Sequence, residues 1–260
     1  DIDVAPTGHW DEMRGGVSKV SDVPKHLSAA KQTANTAWTE FLSHLGSEGI
    51  QSLPARHDAM MRQVRDNGMT YNVYANADQP QRPWSLDLLP LLLSPQDWSQ
   101  IHTGVIQRMR LLEAVMADLY GDNTLVGSGH LPPSLVAGNP EWLRPMVGVR
   151  PRSGHYLHFL AFEIGRGPDG QWWVLADRAQ APSGAGYALE NRVATSRAFS
   201  ELYAGQNVHR LAGFFREFRN SLLNLRHDRD TRVAIWTPGP LNETYYEHAY
   251  IARYLGFTLV

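Results

Sequence analysis

Residues 172–192 constrain the fold of this chain more than any other stretch. They open with the apolar run 172–175, which is typical of a buried strand, and this run is closed by the charged pair Asp177 and Arg178. A turn of small residues at 182–186 follows and leads into a pattern that can start a helix. Because the first N–H groups of a helix have no partner within it, such a loop can bind an anion. A tightly packed strand-to-helix turn without a ligand accounts for the same pattern.

The last 29 residues predict a second unit in which two strands flank a helix. Residues 233–236 and 257–260 have the composition of strands, and residues 243–255 that of a helix ended by Gly256. This order predicts a parallel pair of strands with a right-handed crossover. Ligands favour the carboxyl ends of such strands, where the loop 237–242 lies, although a rigid Pro-Gly turn is an equally good interpretation of that loop.

Helices are predicted at 29–45, 54–66, 95–120 and 207–225, and a short strand at 69–75. The clearest of them is the helix 95–120. Ser94 is a good N-cap residue, and Gly121 ends the pattern. Its apolar residues recur at intervals of three and four, which predicts one buried stripe packed against a neighbouring sheet. The stripe consists of Trp98, Ile101, Val105, Met109, Leu112, Met116 and Leu119.

A hairpin is predicted from a strand at 156–164, a turn at 168–170 and a returning strand at 171–177. Its turn region, 165–170, matches the dinucleotide-binding pattern GxGxxG letter for letter. A strand follows this glycine-rich turn, whereas a dinucleotide fingerprint requires a helix at that point. The match therefore indicates ordinary hairpin chemistry.

Composition excludes several classes of function. The net charge of −2 is spread along the chain, so nothing indicates a nucleic-acid partner or an anionic membrane. The absence of cysteine excludes disulfides, thiol catalysis and thiolate metal sites. No apolar run reaches the length of a membrane span, and the first residues do not have the pattern of a signal peptide, so we expect a cytoplasmic protein. The histidines lack metal-binding spacing, and no P-loop motif is present.

Several dispersed motifs carry a family resemblance. They are NGMTYNVY at 67–74, RPWSLD at 82–87, QR at 107–108, LL at 111–112, DLYG at 118–121, LRP at 143–145, the stretch 172–192, TPGPLNETY at 237–245 and EHAY at 247–250. Together they make the chain resemble the circularly permuted ATP-grasp proteins, a bacterial group similar to glutathionylspermidine synthase. The resemblance implies a mixed α/β fold: a helical N-terminal region at 1–60, then the first part of a circularly permuted ATP-grasp domain at 61–260. It further implies a truncated chain, with the remaining half of the domain C-terminal to it.

The same resemblance implies an ATP-dependent ligase that uses ATP and Mg²⁺ to join a carboxylate to an amine. The expected partner is a small molecule or peptide with amine and carboxylate groups. In many relatives a Glu-Asp-Asn triplet lies on the strand equivalent to 174–178, and its Glu and Asn hold metal. Here the triplet reads Ala176, Asp177 and Arg178, so the expected metal ligands are Asp177 and Glu163 of the neighbouring strand.

The candidate site follows from the motifs and the resemblance together. Arg178 and Asp177 are the candidate catalytic residues, and Glu163 with Asp177 the candidate metal ligands. The candidate substrate- and phosphate-binding residues are Arg82, Ser183, Gly184, Gly186, Glu190, Asn191, Arg192, Thr237, Gly239 and Asn242. Glu163, Asp177, Arg178, Ser183 and Asn191 are expected to line one polar cleft beside the loop 237–242. Two alternatives to a ligase remain: a degenerate module that binds nucleotide or peptide without catalysis, and a structural partner of an adjoining domain.

Overall fold

The computed structural model describes residues 9–17, 33–71, 84–206 and 208–260. Its mixture of many helices and a few short strands confirms the predicted α/β fold class. The chain forms two compact units, one made of residues 1–93 and 183–260 and the other of residues 94–182. The predicted domain boundary near residue 60 stays a prediction. No helix among the described residues is both long and apolar enough to cross a membrane.

The helices and strands follow one another along the chain in this order. The elements before residue 94 are β1 (Trp10–Asp11), β2 (Gly16–Val17), α1 (Thr33–Gln51) and α2 (Leu53–Asp66). The second unit contains α3 (Pro95–Leu119), α4 (Thr124–Gly127), α5 (Pro133–Ala137), β3 (Ala161–Arg166) and β4 (Trp172–Arg178). The first unit resumes with α6 (Ala185–Ala198), α7 (Ser200–Gly205), α8 (Ala212–Asn224), β5 (Ala234–Ile235), α9 (Tyr245–Leu255) and β6 (Thr258–Leu259).

Aromatic side chains hold the helices of the first unit together. Phe41 of α1 lies edge-on against Trp38 and against Phe199, with ring centroids 5.4 Å apart in each pair. Phe199, between α6 and α7, is 1% exposed. Full burial of such a ring contributes about 1.5–3 kcal/mol, so this contact ties α1 to the region of α6 and α7.

The parallel pairing predicted at the end of the chain is confirmed. β5 pairs with β6 in parallel, with Ala234 opposite Thr258. α9 ends at Gly256, whose φ of 70° lies in the left-handed region that favours glycine at a helix end. Trp236 follows β5 and is 88% exposed, and Val260 is 59% exposed. The apolar surface beside this pair is therefore largely uncovered.

The hairpin of the second unit is also confirmed, with a later first strand. β3 and β4 are antiparallel, and the turn at 167–170 closes with a hydrogen bond from the Gly167 N–H to the Gln171 carbonyl. The GxGxxG match lies in this turn, as expected. α3 contacts the hairpin through polar side chains: the Trp172 indole donates to Asp97 at 3.0 Å, and Arg108 donates to Asp177.

The stripe of α3 is less buried than the sequence predicts. The Ser94 hydroxyl caps the helix by accepting from the Asp97 N–H at 3.0 Å, as predicted. Ile101 is buried, whereas Trp98 is 47% exposed and Met109 39% exposed. The periodicity correctly predicts a helix, but it does not specify how much of its apolar face a two-stranded hairpin can cover.

Several predicted boundaries change. The first helix was expected to end at residue 45; Gly46, with a φ of 63°, does interrupt α1 there, and a second helical stretch continues to Gln51. The helix predicted at 207–225 begins at Ala212. Of the strand predicted at 69–75, residues 72–75 lie outside the described residues, and so does the start of the helix predicted at 29–45.

Candidate functional site

An internal carboxylate occupies the predicted anion-binding loop. The Gly184 N–H donates to both oxygens of Glu247 at 2.8 Å, and the Gly186 N–H donates to its Oε1 at 2.7 Å. Gly184 and Gly186 stand at the start of α6, where the helix dipole favours a negative charge. The N–H groups that the sequence offered to an anion therefore donate to a carboxyl group of α9.

Glu247 is held by close packing as well as by hydrogen bonds. Its side chain is 2% exposed, and burial raises the pKa of its carboxyl group, an effect that the N–H groups of Gly184 and Gly186 oppose. A Cβ atom at residue 186 would lie 2.8 Å from the Glu247 Cγ and 3.1 Å from the Ile251 Cγ1. The glycine lets α6 and α9 approach closely, which explains its place in the motif.

The phosphate-binding hypothesis for this loop consequently requires correction. The N–H groups of Gly184 and Gly186 already donate to a buried carboxylate, so a phosphate would have to displace it. Ser183 is exposed and lies beside this contact in the chain. The residues present do not fit a nucleotide phosphate at this helix start.

The three polar residues of α6 that the sequence selects each have a partner within the first unit. Glu190 is buried and accepts a hydrogen bond from the Asn67 side-chain amide. The Asn191 Oδ1 accepts from the Trp84 indole at 2.9 Å. Arg192 donates to the His209 carbonyl at 2.7 Å. These contacts fasten α6 to neighbouring segments.

An aromatic cluster lies beside them. The rings of Trp84 and Tyr187 stack with centroids 4.4 Å apart, and the Tyr187 hydroxyl donates to the Thr70 carbonyl at 2.7 Å. Burial and the nearby charge of Glu247 raise the pKa of Tyr187, so this hydroxyl stays protonated at neutral pH. Burial and the charge of Glu190 raise the pKa of Tyr246 to about 12. These tyrosines are hydrogen-bonding groups of the core.

The loop after β5 contains a continuous polar network. The Thr237 hydroxyl lies 2.8 Å from the His248 Nδ1, and the Thr244 hydroxyl lies 3.1 Å from the His248 Nε2. Thr244 in turn donates to the Asn242 Oδ1 at 2.7 Å, and the Gly239 N–H donates to the Thr237 Oγ1 at 3.2 Å. The structure thus brings the predicted residues Thr237, Gly239 and Asn242 together around His248.

The candidate catalytic residues lie in the second unit, at the end of β4. The Arg178 Nε and Nη2 both donate to the Glu163 Oε1, at 2.8 and 2.6 Å. The side chains of this pair are 61% and 52% exposed. Asp177 instead accepts a two-pronged contact from Arg108 of α3, at 2.6 and 2.8 Å. The hydrogen bond from Arg108 lowers the pKa of Asp177.

A metal shared by Glu163 and Asp177 does not fit this geometry. In the antiparallel register Phe162 is opposite Asp177 and Glu163 is opposite Ala176. Because directly opposed residues share a face and the next pair faces the other way, the two carboxylates project from opposite faces of the hairpin. Each is also neutralised by a guanidinium. In the described part of the chain no three His, Asp or Glu residues cluster in a way that could hold a metal ion.

The remaining site predictions are untested. Arg82 lies outside the described residues. The expected cleft would join Glu163, Asp177 and Arg178 of the second unit to Ser183 and Asn191 of the first, and it stays a prediction.

Comparison with known proteins decides the family. The family model of circularly permuted ATP-grasp type 2 proteins matches residues 90–260. The chain belongs to this circularly permuted ATP-grasp family. An uncharacterized protein of Mycobacterium tuberculosis is 34% identical over 233 residues, which are 86% of this chain and 26% of that relative.

Two further relatives of this ATP-grasp chain have lower sequence identity to it. An uncharacterized protein of Mycobacterium leprae is 32% identical over 222 residues, 84% of this chain and 38% of the relative. One from Synechocystis is 28% identical over 218 residues, 83% of this chain and 45% of the relative. This ATP-grasp chain therefore spans between about a quarter and a half of the length of these relatives.

The sequence analysis placed three residues of this ATP-grasp chain in family motifs without assigning them a role: Glu247, His248 and Arg108. Glu247 carried a usable signal, because it stands four and eight residues before Ile251 and Leu255 on one face of α9. An acid on an apolar face indicates a buried carboxylate that needs donors. The partners of His248 and Arg108 depend on tertiary contacts, and no local pattern predicts them.

Proposed function

We propose that proteins containing this chain catalyse the ATP-dependent ligation of a carboxylate to an amine. Membership of the circularly permuted ATP-grasp family carries the proposal. In this reaction the carboxylate attacks the γ-phosphorus of ATP to form an acyl phosphate and ADP. The amine then displaces phosphate, and an amide results. The finer likeness to glutathionylspermidine synthase favours a peptide or amino-acid substrate, with this chain in the N-terminal portion of the ligase.

The division of labour within such a ligase is part of the proposal. The donors at the start of α6 are engaged by Glu247, and both hairpin carboxylates are paired with arginine. We therefore assign this chain the substrate-facing surface, centred on the loop after β5. Other parts of the longer protein would hold ATP and Mg²⁺, whose use the family implies. A cytoplasmic location belongs to the same proposal.

Hydroxylamine provides a test that does not depend on the natural amine. It attacks an acyl phosphate and yields an acyl hydroxamate, which ferric iron turns into a coloured complex. A longer relative should release ADP and form hydroxamate together when it is supplied with ATP, Mg²⁺, hydroxylamine and a panel of free amino acids and dipeptides. ADP release that is independent of every carboxylate would contradict ligation.

A non-catalytic module that binds nucleotide or peptide is the second candidate. The observation that favours it is the pairing of Asp177 with Arg108 and of Glu163 with Arg178, which leaves no shared metal site on the hairpin. In that case calorimetry on the longer protein would detect ATP binding while the hydroxylamine assay yields neither ADP nor hydroxamate. A structural partner of an adjoining domain would show neither binding nor turnover.

A further inference from the structure

The hydrogen bonds around His248 have a single consistent direction. The Thr244 N–H donates to the Asn242 Oδ1 at 3.0 Å, which identifies that atom as the amide oxygen. The Thr244 hydroxyl donates its only proton to the same oxygen at 2.7 Å. At the His248 Nε2, 3.1 Å away, the Thr244 oxygen can therefore only accept. The Nε2 atom must carry a hydrogen.

The other ring nitrogen follows from this assignment. Burial lowers the pKa of His248, which favours the neutral ring at physiological pH. A neutral imidazole with hydrogen on Nε2 has an acceptor at Nδ1, so the Thr237 hydroxyl donates there across 2.8 Å. The Thr237 oxygen itself accepts from the Gly239 N–H. The Nε2–H tautomer of His248 thus completes a continuous series of hydrogen bonds from Gly239 to Asn242.

This series of hydrogen bonds joins the two ends of the loop 237–244. Thr237 lies two residues after the end of β5, and Thr244 immediately precedes α9. Between them Gly239 has a φ of 100°, and the Asn242 N–H donates to the Gly239 carbonyl at 3.0 Å. The loop therefore has a closed internal structure whose two ends depend on the imidazole of His248.

The side-chain NH₂ group of Asn242 makes no hydrogen bond within the described residues. Both donors of Thr244 are directed at its Oδ1, while its Nδ2 donates to no partner in the part of the chain that the structure describes. An amide NH₂ group can only donate, so its complement is a carbonyl or carboxylate oxygen. Asn242 lies in the loop beyond the carboxyl end of β5, where parallel strands present ligand sites.

We infer that the Asn242 NH₂ group binds a carboxylate or carbonyl oxygen of the substrate, and that His248, as its Nε2–H tautomer, is the positioning residue that orients Asn242. The inference rests on the proposed function for the identity of the ligand as substrate. The tautomer and the orientation of Asn242 do not depend on that function.

Nitrogen-15 spectra of labelled histidine test the positioning role. His248→Gln identifies the signal of residue 248 among the eleven histidines. The wild-type protein and Thr244→Ser, which keeps the hydroxyl, should show the Nε2–H tautomer. Thr244→Val removes the acceptor of the Nε2–H group and should lower that population. An Nδ1–H ring in the wild type, or an unchanged ring in Thr244→Val that thermal melting shows to be folded, would overturn the role of His248. If Thr244→Val fails to fold, the spectra of the wild type and of Thr244→Ser still test the assigned tautomer of His248.

Asn242→Asp is the matched variant for ligand binding. Aspartate keeps an oxygen for both donors of Thr244 and replaces only the NH₂ group, so the His248 tautomer should not change. N-acetylglycine, which carries a carboxylate and a carbonyl, serves as the probe, with backbone amide signals of 237–244 as the readout. Binding by the wild type and at least about tenfold weaker binding by Asn242→Asp would support the inference. Equal affinities, or no binding by the wild type at millimolar probe, would overturn it.

The two proposals fail in different ways. If longer relatives form no hydroxamate while the tautomer and the probe binding hold, ligation is wrong and the acceptor site stands. If hydroxamate forms and Asn242→Asp leaves the KM for the carboxylate unchanged, Asn242 does not bind substrate and ligation stands.

Discussion

The side chain of Glu247 fills the space that a Cβ atom at Gly186 would need. The Glu247 Cγ lies 2.8 Å from that position, and the Glu247 Oε1 accepts from the Gly186 N–H at 2.7 Å. Gly186 thus allows α9 to lie close to α6, and its N–H group donates to the buried carboxyl group of Glu247. The loop that resembles an anion-binding site therefore connects α6 to α9 through hydrogen bonds.

Gly186→Ala tests this close approach of α6 and α9. The added methyl group should displace Glu247 or Ile251 and lower the free energy of unfolding by about 1–3 kcal/mol, the usual cost of overpacking. Urea denaturation followed by circular dichroism measures the change. Gly213→Ala in α8 is the matched control, because a Cβ atom there meets nothing within 4 Å. It should be neutral or stabilise by up to about 1 kcal/mol. Equal stabilities of the two variants would refute the close approach.

Removal of the carboxylate should cost more than its replacement by an amide. Glu247→Ala leaves the N–H groups of Gly184 and Gly186 without an acceptor, at about 1–3 kcal/mol for each buried group. Glu247→Gln keeps one oxygen for them and should lose less stability. The two unfolding free energies, compared with that of the wild type, check the order. A variant Glu247→Ala as stable as Glu247→Gln would show that these hydrogen bonds contribute nothing.

Glu247 also predicts a pH dependence. Burial raises its pKa above the ordinary 4.5, so the folded state holds a proton that the unfolded state has already lost. The contribution to stability is fully present below 4.5 and is lost as the pH rises through the folded pKa. The stability difference between the wild type and Glu247→Gln should therefore shrink from acidic to neutral pH. A difference that grows over this range would reverse the sign of the shift.

Arg108→Lys should alter Asp177 specifically. A lysine keeps the charge but loses the planar fork that contacts both carboxylate oxygens. The pKa of Asp177 should then rise toward its ordinary value of 3.8. Carbon-13 titration of the carboxyl signal measures it. Arg178→Lys is the control, because Arg178 contacts Glu163 and should leave the pKa of Asp177 unchanged.

Arg178→Lys should be nearly silent. The ion pair of Arg178 with Glu163 is exposed on both sides, and such pairs contribute about 0–1 kcal/mol. We expect little change in the unfolding free energy, and little change in hydroxamate formation by a longer relative with the equivalent substitution. A loss of turnover of about tenfold or more with intact stability, about 1.4 kcal/mol in the transition state, would instead support Arg178 as a catalytic residue.

Local patterns predicted most of the secondary structure. The N-cap Ser94, the hairpin turn at 167–170 and the helix end at Gly256 depend on backbone geometry that a few adjacent residues impose. Gly46 shows the limit of such signals. The glycine does leave the helical region, yet a second helical stretch follows it and continues to Gln51.

The candidate site was predicted less completely. Its loops were located correctly, since a strand followed by small residues and a helix start is a local signal. The facing directions of Glu163 and Asp177 depend on the register of β3 and β4, and the bulge between Glu163 and Ile164 shows how easily a register shifts. A change of one residue moves a side chain to the other face, so sequence spacing alone could not settle a shared metal site.

The sequence by itself indicated that an anion could lie at the start of α6, because the first N–H groups of a helix have no partner within it and the helix dipole favours a negative charge. Only the tertiary structure decided that the anion is Glu247, which is 61 residues away along the chain from Gly186. Likewise, the sequence left the loop 237–242 open between a ligand site and a rigid Pro-Gly turn, whereas the packing of α9 decided that His248 contacts Thr237 and Thr244 at its two ends. Hydrogen bonds and desolvation act through space over a few ångströms, so which partners meet is a property of the folded chain and of no short segment within it.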